Sequence, residues 1–438
     1  MTLPEPILRC LQALENAGYE TYLVGGCVRD DLMGNVPQDF DLCTAALPEQ
    51  TSHVFRSIRQ DLTGLRHGTV KLLLEDTEIE ITTFRREGSY QDSRHPDWVE
   101  FVPDIQEDLK RRDFTVNAVA YSPIRGYVDP FGGRADIQAG ILRCVGAPET
   151  RFREDALRIL RGMRFSARFG FPPEKATLDA MLRLAPLTDK LARERVYQEL
   201  SGFLLRAKVP DLLRFSPILA RIIPELSPTL GFQQHSPHHA YDVFTHTAHV
   251  AAAVPPEPAL RWAALLHDVG KVPCFTRDEN GRGHFKGHAQ VSARMAEEIL
   301  RRLHAPAQLR ETAVWLIDHH MTVLQPEEAL LRRSLSRYGK ERLELLLCLQ
   351  EADMKGKGTN EHENSQRYPR LRQILQKLDA EEGRLTLRSL AVNGNDLLAL
   401  GMQGKEIGSC LAWLLEQVLS GELENEKTAL IQAAATKK

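Results

Sequence analysis

Residues 4–18 mix apolar and polar positions at helical spacing, and Gly18 ends the run. Residues 22–24 then read as a short strand entering Gly25-Gly26. Further strand-like runs cover residues 70–74, 78–84 and 99–102, so the first third of the chain is expected to mix α and β. A turn cluster, Asp129-Pro-Phe-Gly-Gly133, closes this part. From Glu149 onward strand signals largely vanish. Almost all of the remainder reads as helices separated by breaks such as Pro224, Pro228, Pro237 and residues 255–258. The pattern predicts an α+β head on a long helical body.

The 438 residues favour two to four domains, and 42% hydrophobic with 26% charged residues is an ordinary composition for a chain with buried cores. The first twenty residues lack the features of a secretory signal, and no apolar run approaches the roughly 18 to 20 residues of a membrane helix. Seven cysteines are scattered without any CxxC, which points to a reducing cytoplasm rather than a disulfide framework. The net charge of −3 leaves nucleic-acid binding to local basic patches.

Candidate chemistry starts in LVGGCVRDDLMGNVPQDFDL. Gly25-Gly26 lies between a strand and an expected helix, where backbone N–H groups can approach a triphosphate, and Arg29 adds a positive fork one turn later. Asp39 and Asp41 are two apart on an expected strand, so both would project from one face and suit magnesium. Glu78 and Glu80 share another strand face. Glu80 is a candidate third carboxylate, and Glu78 is expected to face solvent. Alone, a GG is usually a turn and a DxD a solvated loop; the combination carries the reading.

Two further segments belong with it. In LKRRDFTVNAVAY (109–121), Arg112 could clamp phosphates while Asn117 bonds locally within a helical pattern. In RFREDALRILRGMRFSARF (151–169), Asp155, Arg158, Arg161 and Arg164 recur every third residue on one expected helix. An Asp and an Arg one turn apart can offer an acceptor and donors to a base edge while other arginines grip a triphosphate. The alternative for this stripe is a surface salt bridge worth little.

Together these segments resemble the class II tRNA nucleotidyltransferase and poly(A) polymerase family of the polymerase-β-like superfamily. The resemblance rests on GGCVRD (25–30), DFD (39–41), EGSYQDSRHP (87–96), RRDFTVNA (111–118), DPFGG (129–133), REDALR (153–158) and ARERVYQEL (192–200). It implies a metal-holding pair in Asp39 and Asp41, with Mg2+ as the ion. It also implies nucleotide contacts from Gly26, Arg29 and Arg112, base reading by Asp155 and Arg158, and phosphate contacts from Arg161 and Arg164. The implied activity is template-independent addition of CCA to tRNA from CTP and ATP. The loop at 86–97 is similar to the family's flexible loop that switches CTP to ATP, although His95 stands where a second basic residue is expected. An A-adding enzyme and a poly(A) polymerase therefore stay open as alternatives.

The body holds a second constellation: His246, His267-Asp268, His288, His319-His320 and Asp353. Histidines and carboxylates from several helices can cage a divalent transition metal, whereas a single buried histidine is usually a satisfied core residue. The set resembles an HD phosphohydrolase domain with a two-metal site. That resemblance leaves open a phosphatase or 2′,3′-cyclic phosphodiesterase activity, with Lys271 steadying the anion. His238, His239, His249 and His284 read as structural or surface residues. In the tail, Lys355, Lys357, Arg367, Arg370 and Arg372 are possible phosphate contacts. The expected division is a head over 1–148, a base-recognising neck over 149–225, an HD-containing body over 226–358 and a tail over 359–438. Body and tail would hold the tRNA acceptor arm and elbow by shape.

Overall fold

The computed structural model describes residues 1–74, 78–88, 98–358, 366–381 and 385–437. These divide into two compact units, Met1–Pro224 and Glu225–Lys438.

In the first unit, α1 (Glu5–Asn16) buries Ile7, Cys10, Leu11 and Leu14 along one face, the spacing of an amphipathic helix. Gly18, at φ 87°, turns the chain out of it. There follow β1 (Thr21–Val24), α2 (Gly26–Leu32), β2 (Asp41–Thr44), α3 (Pro48–Val54), β3 (Arg59–Asp61), β4 (Thr69–Leu73) and β5 (Glu78–Thr83). β6 (Arg85–Glu87) and β7 (Val99–Phe101) pair as a separate antiparallel ribbon. Residues 89–97 between them, with His95, lie outside the described residues. Next come α4 (Ile105–Lys110), a 3-10 turn over Thr115–Asn117, β8 (Ala120–Ser122), β9 (Gly126–Val128) and α5 (Gly133–Ala139).

Among the described residues, seven strands form one sheet in the order β3-β4-β5-β2-β1-β8-β9. β2 and β5 run parallel, and the other pairs are antiparallel. Central β1 is buried on both faces. Leu23 packs with Leu11, Leu14 and Val28, while Tyr22 and Val24 pack with Phe84, Ile105 and Leu109. In β5 buried Ile79 and Ile81 alternate with exposed Glu78 and Glu80.

Three local expectations change. β2 begins at Asp41, so Asp39 sits exposed in the loop before it rather than on the strand. The cause lies in β1: Val24 is the register partner of Asp41, and Gly25, at φ 73°, then leaves the sheet. The helical pattern around residues 111–121 becomes the 3-10 turn and β8. Tertiary partners claim its polar groups: Thr115 donates its N–H to the Arg143 carbonyl and its hydroxyl to Asp136. The single helix expected over 151–169 breaks into α6 (Pro148–Glu154) and α7 (Leu157–Phe169). Asp155 sits at the break in an extended conformation and accepts the Leu157 N–H at 2.9 Å, a local bond that competes with helix continuation.

The unit ends in α8 (Lys175–Arg183), α9 (Arg193–Leu204), α10 (Val209–Arg214) and α11 (Ser216–Ile222). The second unit is built from α12 (Val243–Ala253), α13 (Pro258–Leu266), α14 (His288–Arg302), α15 (Ala307–His319), α16 (Glu328–Tyr338) and α17 (Lys340–Gly356), followed by α18 (Arg367–Glu381), α19 (Gly394–Ala399), α20 (Lys405–Ser420) and α21 (Lys427–Lys437). Its only described strands are the two-residue pair Thr276–Arg277 and Gly283–His284. Leu397, Leu414, Val418 and Leu430 pack a separate core near the C-terminal end. No described helix is long and apolar enough to cross a membrane.

Gly133 explains part of the DPFGG sequence. A Cβ there would lie 2.1 Å from the Thr115 carbonyl oxygen and 2.6 Å from Val119 Cγ2, so α5 can press on the 3-10 turn only through glycine. Gly133→Ala should therefore lower unfolding free energy by about 1–3 kcal/mol in denaturant titration. Unchanged stability would show that this contact is not tight in solution.

Candidate active site and metal centre

The first site opens where β1 ends. Gly25 and Gly26 carry the chain past a cavity of about 370 Å3, lined also by Arg29, Asp41, Arg112, Asp113, Asn117, Asp155, Arg158, Arg161, Phe165 and Arg195. A Cβ on Gly25 would stand 3.1 Å from an Arg112 guanidinium nitrogen and 4.0 Å from Asp41 Oδ2. Gly25 thus keeps clear the space between a carboxylate and a guanidinium.

Asp41 and Glu80 are register partners on adjacent strands, so their side chains leave the same face side by side. Loss of hydration holds the Asp41 carboxyl above its ordinary range; Glu80 and Asp39 push the same way, and Arg112 opposes them. Negative charge gathered around Asp41 is relieved by a cation, and the all-oxygen donor set suits a hard one. Asp39 is near enough to act through its charge but does not line the cavity. Glu80 and Glu78 both pair with Lys71, at 3.2 and 3.1 Å.

The arginines are held individually. Arg29 is 4% exposed, gives two donors to Asp30 and lies over the Phe169 ring at 4.7 Å. Arg112 reaches Asp108 at 3.4 Å. Arg158 donates to the Arg111 carbonyl at 2.8 Å and to Glu154 at 3.0 Å. Arg161 places Nε and Nη2 on Asp113 at 2.8 and 2.7 Å. Burial alone would raise the Asp113 carboxyl, but Arg161, Asn117 and the Phe114 N–H bring it down to about 2. Burial raises the Asp155 carboxyl, against the Leu157 N–H and Arg158.

Arg164 departs from expectation. It bonds Glu199 on α9 at 2.6 Å and does not line the cavity. Its position on α7 rotates it beyond the face that carries Arg158 and Arg161. Conversely, Asp113, Asn117 and Arg195 line the site without having been assigned to it. The four-residue spacing of Asp113 and Asn117 was the available signal, since their side chains bond at 3.0 Å.

The second site lies wholly in the second unit. α12 supplies His246, the end of α13 His267 and Asp268, α14 His288, the end of α15 His320, and α17 Asp353. His246 Nε2 lies 2.9 Å from Asp353 and 3.4 Å from Asp268, and His267 Nε2 lies 3.2 Å from Asp268. His288 Nε2 is 3.4 Å from the other Asp268 oxygen. His246, His267 and Asp268 form one group whose donor atoms fall within 4.8 Å of one another; Asp268, His288 and His320 form a second.

Three rings are pinned from behind: Nδ1 of His267, His288 and His320 faces the carbonyls of Ala264, Phe285 and Ile317 at 2.9, 2.8 and 2.6 Å. A carbonyl only accepts, so Nδ1 carries the proton and a neutral ring presents an Nε2 lone pair inward. His288 and His320 then face each other Nε2 to Nε2 at 3.2 Å. His246 Nε2, His267 Nε2 and Asp268 Oδ1 are buried without a well-formed hydrogen bond. This donor set fits a divalent cation. Burial opposes charge on His267, yet Asp268 and Asp353 raise it to about 10, while burial and the His267 charge lower His320 to about 4.

His319 is not part of the cluster. Consecutive helical residues point about 100° apart, so His320 takes the cavity while His319 bonds the Trp315 carbonyl and stacks on its ring at 4.4 Å. Lys271 lines the same cavity and is bonded to Asp268 and Gln234, both at 2.8 Å, which leaves one of its three N–H donors. His239, read as structural, lines the approximately 380 Å3 cavity and stands 5.4 Å from the His246 ring. Nothing in its sequence surroundings distinguished it. In the tail, Lys355 and Arg372 both bind Glu351, and Arg367 binds the Leu324 carbonyl.

Comparison with known proteins matches both halves of the chain. A family model described as the poly A polymerase head domain fits residues 21–143, and one described as the HD domain fits residues 238–354. A CCA-adding enzyme of Levilactobacillus brevis is 33% identical over 97% of this chain and 95% of its own length. The chain belongs to the CCA-adding enzyme family. A second family member, from Latilactobacillus sakei, is 33% identical over 98% of this chain and 96% of that one. The crystal structure of the Bacillus stearothermophilus CCA-adding enzyme in complex with CTP superposes with a TM-score of 0.72 at 29% identity, covering 99% and 98% of the two chains. The Thermotoga maritima CCA-adding enzyme complexed with tRNA shares the fold, at TM-score 0.59 and 19% identity. The chain is thus an α+β nucleotidyltransferase with an HD domain, and both parts belong to families that use divalent metals.

Because both donor groups share Asp268, Asp268→Asn should lower divalent-metal affinity of the HD cluster by more than about tenfold. His319→Ala should leave it unchanged. Elemental analysis after equilibrium dialysis would read both, and equal metal loss in the two variants would contradict the assignment.

Proposed function

We propose that this chain builds and repairs the 3′-terminal CCA of tRNA from CTP and ATP, with Mg2+ held at Asp41 and Asp39. The observation that carries the reading is the first cavity, where Gly25-Gly26, the Asp41 carboxylate and the guanidiniums of Arg29, Arg112, Arg158 and Arg161 meet Asp155. Bound there, Mg2+ would neutralise triphosphate charge and favour attack by the tRNA 3′-hydroxyl with loss of pyrophosphate. Arg112 and Arg161 add fixed positive charge, and the glycines admit the phosphates beside Asp41.

Asp155 and Arg158 are proposed to choose the base. Cytosine and adenine both present an exocyclic amine beside a ring nitrogen acceptor. An Asp that accepts and an Arg that donates match that order, whereas uracil and guanine reverse it. Arg158 commits one Nη2 hydrogen to the Arg111 carbonyl, which fixes its plane and leaves the other for a base. Selection then resides in protein groups, with no template strand.

The HD cluster supports a second activity, hydrolysis of a phosphate ester with one or two divalent transition metals. The convergence of two donor groups on Asp268 favours this over a purely structural histidine cluster. The body and tail are proposed to hold the acceptor arm and elbow of tRNA. All seven cysteines are free, which suits a reducing cytoplasm.

Purified protein, Mg2+, CTP and ATP should extend three tRNAs, ending before CCA, after one C and after CC, to a finished CCA and then stop. Single-nucleotide gels read the outcome. Extension of the CC-ended tRNA alone would mean an A-adding enzyme, and a long adenosine ladder a poly(A) polymerase. Asp41→Asn should abolish transfer, while Arg164→Ala should retain most of it.

A further inference from the structure

Two of the guanidiniums lining the first cavity come from different parts of the first unit. Arg29 is carried by α2, next to the sheet, and Arg161 by α7. One side chain spans them. Asn117, 7% exposed in the 3-10 turn, accepts a hydrogen bond from Arg29 Nη1 at 2.6 Å through Oδ1. It donates through Nδ2 to Asp113 Oδ1 at 3.0 Å. Asp113 Oδ2 in turn holds Arg161.

The chemistry fixes the order of this chain. A guanidinium can only donate, and a carboxylate held ionised can only accept. The group between them must therefore present one acceptor and one donor in opposite directions, which a primary amide does. A carboxylate offers no donor, an ammonium no acceptor, and a hydroxyl lacks the span. The remaining donors of the arginines are constrained as well: Arg29 uses Nε and Nη2 on Asp30, and Arg161 uses Nε and Nη2 on Asp113. The Asn117 link thus ties the guanidinium held on Asp30 to the one held on Asp113.

We infer that Asn117 is a positioning residue for nucleotide binding: its amide locks Arg29 and Arg161 into one frame, so that both meet the triphosphate of CTP or ATP without reorganisation. The inference rests on the nucleotide cavity proposed above. It assigns Asn117 to the phosphate end of the nucleotide, away from the Asp155–Arg158 pair.

Steady-state kinetics of the full chain test it with two variants. Asn117→Ala should raise KM for CTP and for ATP by about tenfold each, with KM for tRNA held within about twofold. Asn117→Asp should keep the bond from Arg29 but set a carboxylate against Asp113. Its KM for CTP should fall toward the wild-type value as pH is lowered from about 8 to about 6, because the facing carboxyls can then share a proton. A merely structural role would move neither the nucleotide KM selectively nor its pH profile. If Asn117→Ala does not fold, the pH series on Asn117→Asp decides alone. Unmoved nucleotide KM in the variants, a rise confined to one nucleotide, or a pH profile parallel to wild type would overturn the inference. Failure of the wild-type chain to bind CTP would instead overturn the cavity's assignment.

Discussion

The first site depends on one buried carboxylate. Asp113 is almost wholly removed from solvent, and ionising it there would be unfavourable without Arg161, Asn117 and the Phe114 N–H. Those partners come from a helix, a 3-10 turn and the chain itself, so the charge of Asp113 is stable only when all three converge. The turn exists because α5 presses on it through Gly133 and because Thr115 bonds Asp136 and Arg143. Backbone packing at DPFGG and guanidinium placement in the cavity are therefore parts of one arrangement.

The two sites solve opposite electrostatic problems. In the first, fixed cations outnumber the anions around the cavity, as an incoming triphosphate requires, and only the Asp41–Glu80 edge carries surplus negative charge. In the second, imidazoles and carboxylates converge with few hydrogen-bond partners, and Lys271 supplies compensating charge beside Asp268. Divalent metal binding there competes with protons for the same ring nitrogens, so affinity is expected to be coupled to protonation. The rings are ready for the exchange because backbone carbonyls already hold Nδ1 of three of them.

Much of this was legible in the sequence wherever a residue's role follows from local geometry. The strand entering Gly25-Gly26, the exposed pair Glu78 and Glu80, and the His-Asp spacing of the body all depend on a few neighbours. What could not be read depended on partners distant in sequence. Whether residue 39 belongs to a strand is decided by where β1 leaves the sheet, fifteen residues earlier in the chain. That Arg164 is claimed by Glu199 depends on α9. His319 and His320 are equivalent in sequence, and only the packing of Trp315 separates them.

The arginine stripe shows how such a division arises. A period of three on a helix of 3.6 residues per turn drifts by about 60° per step. Arg158, Arg161 and Arg164 therefore cannot serve one ligand equally. The first meets the Arg111 carbonyl and Glu154, the second Asp113, the third Glu199, and only the first two border the cavity. A repeat of four would have kept more cations on one face, but the sequence instead spreads them across the helix. Each guanidinium thereby gains its own acidic partner, and the cavity gains arginines whose planes are set before a nucleotide arrives. For a site that must accept two different bases in turn, fixed planes matter more than added charge, because discrimination comes from the direction of each N–H rather than from attraction alone.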